Sequence, residues 1–390
     1  MLDAPSRSRP ALLVFAEDWG RHVSSAQHLI PHLLDCHEVY WVNTIGTRRP
    51  ALNFRTVSRA LEKFRQWLHV PLSPAPPPAN LHVLSPVMWP WFSTALDRKL
   101  NRSLLLRQLK PLVKSLPEPP IAITKIPIVA DLMGSLPVRH WVYFCVDDFS
   151  EWPGLDQPAL GRMEEVVIRR ADRVLTVSEV LRQRLARMGR QAPLLTHGVD
   201  VGLWKKPADG EPFPAVAGRE RPLVVFWGVI DRRMDTAFVR QLAEEMTEGT
   251  IVLAGPEADP DPALTRCPRV TRLGPVPFAQ LPSLAREAAV LIMPYADLPV
   301  TRAMQPLKLK EYLATGKPVV ARNLPATRDW ADGLDLAETP QAFARAVRTR
   351  LATGLPPEQE ATRRRLEGES WAEKARVFAT WALDADPKPD

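Results

Sequence analysis

Short apolar runs closed by turn residues recur along the chain, each separated from the next by a stretch with helical spacing. In the first half the runs are Leu12–Ala16, Val39–Val42, His82–Leu84, Ile121–Thr124, Trp141–Val146 and Val174–Val177. The second half offers Leu223–Trp227, Ile251–Ala254, Val270–Leu273, Val290–Met293 and Pro318–Ala321. Between them lie helical patterns such as Leu160–Arg170, Glu179–Met188, Ala237–Glu245, Leu281–Ala288 and Lys308–Ala314. A run apolar at nearly every position suits a strand buried on both faces, so the alternation predicts parallel sheets covered by helices, an α/β architecture. The pattern restarts after Lys206–Arg221, a stretch rich in Pro and Gly that reads as an interdomain linker. Two Rossmann-like domains are expected, residues 1–205 and 206–370, within a chain of 390 residues. Trp371–Leu383 has helical spacing of Trp371, Ala375, Phe378 and Ala382, and a terminal helix this apolar, residues 371–385, must dock on a domain.

Composition removes several alternatives. Hydrophobic residues make up 45% and charged residues 24%, which excludes a disordered chain. No apolar run reaches the length of a spanning helix, and the opening MLDAPSRSRP lacks a leader's apolar stretch. Three scattered cysteines, Cys36, Cys145 and Cys267, make neither a disulfide framework nor a Cys-rich zinc site. The expected location is the cytoplasm. The net charge of +7 sits entirely in residues 1–200, where 25 Lys and Arg face 18 Asp and Glu. Residues 48–114 hold 12 of those basic side chains and two acids, Glu62 and Asp97. Val57, Leu61, Phe64 and Leu68 share a helical face inside that stretch, and Val87-Met88-Trp89-Pro90-Trp91-Phe92 adds aromatics. Such a mixture fits either a core-facing helix with a solvated basic side or contact with an anionic membrane surface. Pro71–Pro78 predicts an extended loop.

Several chemical signatures are absent: the Gly-x-Gly-x-x-Gly turn, the Walker loop and the Gly-x-Ser-x-Gly elbow. His28 and His32 lack a metal-site pattern around them, and Asp259-Pro260-Asp261 reads as turn chemistry. What remains are strand-to-helix junctions, where α/β folds bind ligands. Gly20 follows the first strand and permits close backbone approach, with Ser24 or Ser25 as candidate helix caps. Asp147 and Asp148 end the buried strand around Tyr143 and lead into an aromatic loop. Thr196-His197-Gly198-Val199-Asp200 precedes the linker. In Gln305–Val320, Pro306 fits a helix start and Gly316 a helix end. The Leu307 and Lys308 amides and the Lys308 ammonium would seat a phosphate, and Glu311, one turn on, can accept from vicinal ribose hydroxyls.

His197-Gly198-Val199-Asp200 and PLKLKEYLATGKPVV from Pro306 to Val320, in that order across a linker, resemble glycosyltransferase family 4 and its GT-B relatives. Phe226-Trp227-Gly228-Val229-Ile230-Asp231 and Leu273-Gly274 with Leu281-Pro282 add to the likeness, and Tyr143–Gly154 resembles a subgroup from bacterial polysaccharide and teichuronic acid gene clusters. The resemblance covers nearly the whole chain. It implies two Rossmann-like domains facing each other across a cleft, with the last helix returning to the first domain. The second domain would bind a nucleoside-diphosphate sugar of UDP or GDP type, with Glu311 on the ribose and Gly228, Arg232, Arg233, Leu307 and Lys308 near the diphosphate. His197 and Gly198 would close over the donor, Gly20 would line the cleft, and Asp147 or Asp148 would face a saccharide or lipid-linked acceptor. The implied reaction retains configuration and uses neither metal nor cofactor. Two positions depart from the family pattern. Ala303 stands where the first Glu of the family's pair sits, with Gln305 nearby, and Arg232-Arg233 are out of register with the usual basic pair. These departures motivate a rival, a non-catalytic GT-B subunit. A further rival is an epimerase or phosphorylase with the same fold, and nucleic-acid binding finds no supporting module.

Overall fold

The computed structural model describes residues 9–20, 24–47, 77–205 and 213–384. The chain divides into two compact units, Met1–Thr196 with Lys374–Asp390, and His197–Glu373. The first is built on β1 (Leu12–Ala16), β2 (Val39–Asn43), β3 (Leu81–Leu84), β4 (Ile121–Thr124), β5 (His140–Cys145) and β6 (Arg173–Thr176). Their order is β3-β2-β1-β4-β5-β6, every pair parallel. All five residues of β1 and all four of β4 are buried, which is why these runs show no polar alternation.

In the second unit the main strands are β7 (Leu223–Trp227), β9 (Thr250–Ala254), β11 (Val270–Gly274), β12 (Val290–Met293), β13 (Val319–Arg322) and β14 (Asp335–Ala337). Two short strands, β8 (Ile230–Asp231) and β10 (Glu257–Ala258), pair with each other beside that sheet. The sheet order is β11-β9-β7-β12-β13-β14, again all parallel. Numbered within each unit, both sheets read 3-2-1-4-5-6, the doubly wound order. Such a sheet has one crevice where the chain reverses direction of winding, between its first and fourth strands, and ligands bind there at the carboxyl ends. Those ends belong to β1 and β4 in one unit and β7 and β12 in the other.

The boundary falls at residue 196, ahead of residue 205, for a local reason. Val199 forms a parallel bridge with Ser370, and the Trp204 indole stacks on Trp227 at 5.3 Å, so His197–Trp204 is anchored in the second unit. The helix Trp371–Ala382 leaves that unit at Lys374. Its later residues pack in the first: Phe378 sits edge-on to Phe144 at 5.7 Å, the Ala382 carbonyl lies 2.9 Å from His140 Nε2, and Arg173 donates to the Trp381 carbonyl.

Several elements have no counterpart among the sequence expectations, among them the helices Ala95–Ser115 and Pro340–Thr353 and the strand β14. The helix Ala95–Ser115 is the longest among the described residues, started by a reciprocal cap between Thr94 and Asp97. It buries only Asn101, Leu105, Leu106, Leu109 and Val113 and carries Pro111, so its apolar signal is thin. β14 is three residues long with only Ala337 buried. The helix expected at Val57–Leu68, the first part of the Pro71–Pro78 loop, residues 21–23 and residues 206–212 of the linker lie outside the described residues.

Candidate nucleotide-sugar site

The crevice of the second unit gathers four sequence-named residues. β7 runs apolar to Trp227 and ends at Gly228, whose φ is 137°. A Cβ there would sit 1.9 Å from Lys308 Nζ, so only glycine leaves room for that side chain. Pro306 holds extended backbone as the N-cap of the Leu307–Ala314 helix, and Gly316 turns the chain beyond its end at φ 73°. The Leu307 and Lys308 amides occupy the first turn, where no preceding carbonyl of the helix can accept from them. Lys308 Nζ donates to the Tyr295 hydroxyl at 2.8 Å and lies 4.3 Å above the Phe226 ring. No carboxylate is within ion-pair distance of Lys308 among the described residues, which leaves a cation at the strand ends without a neutralising partner.

Glu311 is one turn further along and buried. The Trp227 indole Nε1 donates to its Oε2 at 3.2 Å. Burial pushes the carboxyl up to about 7, against the pull of the Trp227 hydrogen bond and the Lys308 charge. The next residue, Tyr312, ties the helix to the strand: the Trp227 amide donates to its hydroxyl at 2.9 Å. Strand end, cation and carboxyl therefore share one rigid frame.

His197 and Gly198 approach the same helix from the preceding segment. The His197 amide donates to Gln305 Oε1 at 2.5 Å, and Lys310 Nζ donates to the His197 carbonyl and to Glu369 Oε2. A Cβ on Gly198 would stand 2.9 Å from the Trp371 backbone nitrogen and Cα, a contact no side chain tolerates. Gln305 thus fixes the His197 turn, and buried Ala303 carries no charge to this end of the site. The two arginines separate. Arg233 is buried in a bidentate pair with Asp231, 2.9 Å from Nη2 to Oδ2, while exposed Arg232 pairs with Asp259. Asp261 caps the turn at Ala263, so Asp259-Pro260-Asp261 is turn chemistry in this fold.

In the first unit Gly20 has φ 78°, and its amide donates to Gln27 Oε1 at 3.0 Å. Lys125, just past β4, forms a 2.7 Å ion pair with Glu17, just past β1. Burial is the largest single influence and would raise Glu17, but the Lys125 charge and the hydrogen bonds to the carboxyl together outweigh it and hold it below its ordinary value. Ser24 is the N-cap of the helix Ser25–Leu29, with no side-chain cap bond. Asp148 is buried and committed: Oδ1 accepts from the Ser150 amide at 3.1 Å, and Oδ2 lies 3.2 Å from Arg184 Nε. Arg184 also holds Glu164 at 2.9 Å, and Glu164 accepts from the Tyr143 hydroxyl. Asp147 is the more accessible of the two, with a half-buried side chain.

Trp227, Asp231 and Tyr312, which lie inside the quoted motifs without an assigned role, and Tyr295, which lies outside them, complete these frames. Their signal was positional, since Trp227 and Tyr295 lie at or just beyond strand ends and Asp231 follows in the same turn.

Residues 221–353 match the family model described as Glycosyl transferases group 1. A Bacillus subtilis (strain 168) protein named as a teichuronic acid biosynthesis glycosyltransferase, TuaH, is 31% identical over 169 residues. That match takes in 41% of this chain and spans only 43% of the relative's length. Among solved structures, sucrose-phosphate synthase from Thermosynechococcus elongatus superposes with a TM-score of 0.70 at 16% identity, over 95% of this chain and 98% of that one. Anabaena HepE in complex with UDP-glucose gives 0.58 at 15% identity, over 96% of both chains. A UDP-forming trehalose-phosphate synthase from Burkholderia xenovorans gives 0.65 at 14% identity, over 95% and 98%. The chain has the GT-B fold, and its second unit carries a glycosyl transferases group 1 domain.

Proposed function

We propose that this chain transfers a sugar from a nucleoside-diphosphate sugar, UDP or GDP type, to a lipid-linked or cell-surface polysaccharide acceptor. The observation that carries the reading is Lys308, an ammonium with no carboxylate in ion-pair contact among the described residues, set beside Gly228 and a helix N-terminus one turn from buried Glu311. A diphosphate needs a fixed cation and free amides, and a ribose needs a carboxylate to accept from its two hydroxyls. Leu307 and Lys308 would hold the diphosphate, Glu311 the ribose, and the His197-Gly198 turn the sugar. Arg233, oriented by Asp231, would add positive charge. Lys308 and the helix end can stabilise the departing diphosphate, so the reaction needs no metal or other cofactor, and the resemblance to glycosyltransferase family 4 implies that it retains configuration. Asp147 and the Gly20 loop would meet the acceptor. The basic residues within 48–114 support peripheral contact with an anionic membrane at its cytoplasmic face. The curated relative's name points to cell-envelope polysaccharide as the product class.

The test is to incubate the chain with radiolabelled UDP- and GDP-sugars and a bacterial lipid extract, then count label in the organic phase. Transfer lost in Lys308→Ala is expected, and no transfer from any donor would overturn the reading. Ala303 and the use of Gln305 by His197 favour one rival, a non-catalytic subunit. That rival would bind a donor without turnover even when acceptor lipids are present.

A further inference from the structure

Five large apolar side chains are exposed among the described residues, and four lie together in sequence: Val87 (51%), Trp89 (39%), Leu96 (79%) and Leu100 (42%). Their exposure is built in, because side chains of the Ala95–Ser115 helix hold the preceding loop in place. The Val87 amide donates to Gln108 Oε1 at 2.8 Å, and Gln108 Nε2 donates back to the Val87 carbonyl at 2.9 Å. Asn101, two turns earlier on the same face, does the same for Trp89, at 2.7 Å from its amide and 3.1 Å to its carbonyl, and also donates to the Trp91 carbonyl. The Trp89 indole donates to Asp97 at 2.9 Å. The loop's backbone polar groups at Val87 and Trp89 are therefore satisfied within the protein, which removes the main cost of moving that loop into a medium poor in water.

Around the helix the surface changes from apolar to basic. Leu96, Leu100, Arg107 and Lys114 recur at four- and seven-residue spacing on one face, flanked by Lys99 and Lys110. The helix holds one acid, Asp97, already engaged by Thr94 and Trp89. Among the described residues no carboxylate pairs with Lys99, Arg107, Lys110 or Lys114. Apolar tips, an indole held at the border and a row of unneutralised cations complement an anionic bilayer, with its hydrocarbon below and its phosphates above.

We propose that this face is the membrane-docking surface of the chain. Val87, Trp89, Leu96 and Leu100 enter the headgroup boundary, and Lys99, Arg107, Lys110 and Lys114 meet lipid phosphates. The assignment rests on the membrane contact proposed above and deepens it by naming the surface. Cosedimentation of the full chain with phosphatidylcholine vesicles, alone or mixed with phosphatidylglycerol, tests it. Wild type is expected to bind the mixed vesicles, weakening with salt, and not the neutral ones. Replacing Lys99, Arg107, Lys110 and Lys114 together by Gln should weaken binding by on the order of a hundredfold or more. Leu96→Ser with Leu100→Ser should weaken it about tenfold while leaving the salt dependence in place. Unchanged titration of UDP with both variants shows that the fold and nucleotide site survive. Wild-type binding that both variants retain would overturn this surface and leave the membrane reading standing, whereas no binding by wild type overturns both. A dimer in light scattering that Leu96→Ser with Leu100→Ser dissolves would instead assign the apolar patch to contact between chains, and would overturn the proposal.

Discussion

Raising the pH from about 6 to about 8 is expected to strengthen binding of a UDP-sugar roughly tenfold, and Glu311 is the cause. Its carboxyl is buried against Trp227 and titrates at about 7. Ribose hydroxyls donate to a carboxylate, so the ionised form is the one that binds. About a tenth of the unliganded sites carry it near pH 6 and about nine tenths near pH 8, a difference of about 1.4 kcal/mol. Binding must also expel the proton that the free site holds, close to one per ligand near pH 6. Calorimetry in buffers of different ionisation heat reads that number directly, and a UDP-sugar suits the test because its diphosphate diester does not titrate in this range. The same shift acts on folding with a definite sign. The folded state keeps a proton that the unfolded chain releases above the ordinary value of 4.5, so stability is full below that pH and declines as pH rises through about 7. The loss is at most about 3 kcal/mol, taking the whole shift as burial. Glu311→Gln should flatten both dependences. No proton release, or a pH dependence that survives in Glu311→Gln, would refute the reasoning.

Lys308→Ala should weaken a UDP-sugar by about ten- to a hundredfold and uridine far less, because the charge-assisted contact to phosphate is lost for the first and only the pull of Lys308 on the Glu311 carboxyl for the second; parallel titrations of the two ligands check it. Trp227→Phe removes a hydrogen bond that lowers the Glu311 carboxyl, so the midpoint of the pH–affinity profile should move up while the plateau affinity changes less. Gly198→Ala drives a methyl into the Trp371 backbone and should cost about 1–3 kcal/mol, read as a lower unfolding midpoint. Arg184→Met strands Glu164 and Asp148 as buried carboxyls without their cation, and a loss of about 3–5 kcal/mol is expected in denaturant unfolding.

The parallel sheets were legible because a strand buried on both faces has no polar positions to confuse its pattern; Leu12–Ala16, Ile121–Thr124, Leu223–Trp227 and Val290–Met293 coincide with the observed bounds. β14 and the Ala95–Ser115 helix were not legible. The strand buries little, and the helix owes its start to a cap and its later turns to contacts with the preceding loop rather than to a wide apolar stripe. At the site, Gly228, Lys308 and Glu311 come together as their junction positions suggested. What the sequence could not show was pairing across distance. Arg233 turns to Asp231, Asp148 joins Arg184, and Gln305 reaches the His197 amide across 108 residues. Each is a choice among several equally plausible partners, and only packing makes it. The Arg232-Arg233 pair illustrates the limit: adjacent in sequence, one is buried in an ion pair and the other lies on the surface.

The second unit's role as a nucleoside-diphosphate site is tested most directly by calorimetric titration of UDP, GDP and ADP against the wild-type chain and Glu311→Ala. Tight binding of one diphosphate, weakened at least about tenfold in the variant, is the expected result and identifies the base. Absence of binding by any of the three to a folded wild-type chain, or binding that Glu311→Ala leaves unchanged, would contradict the assignment.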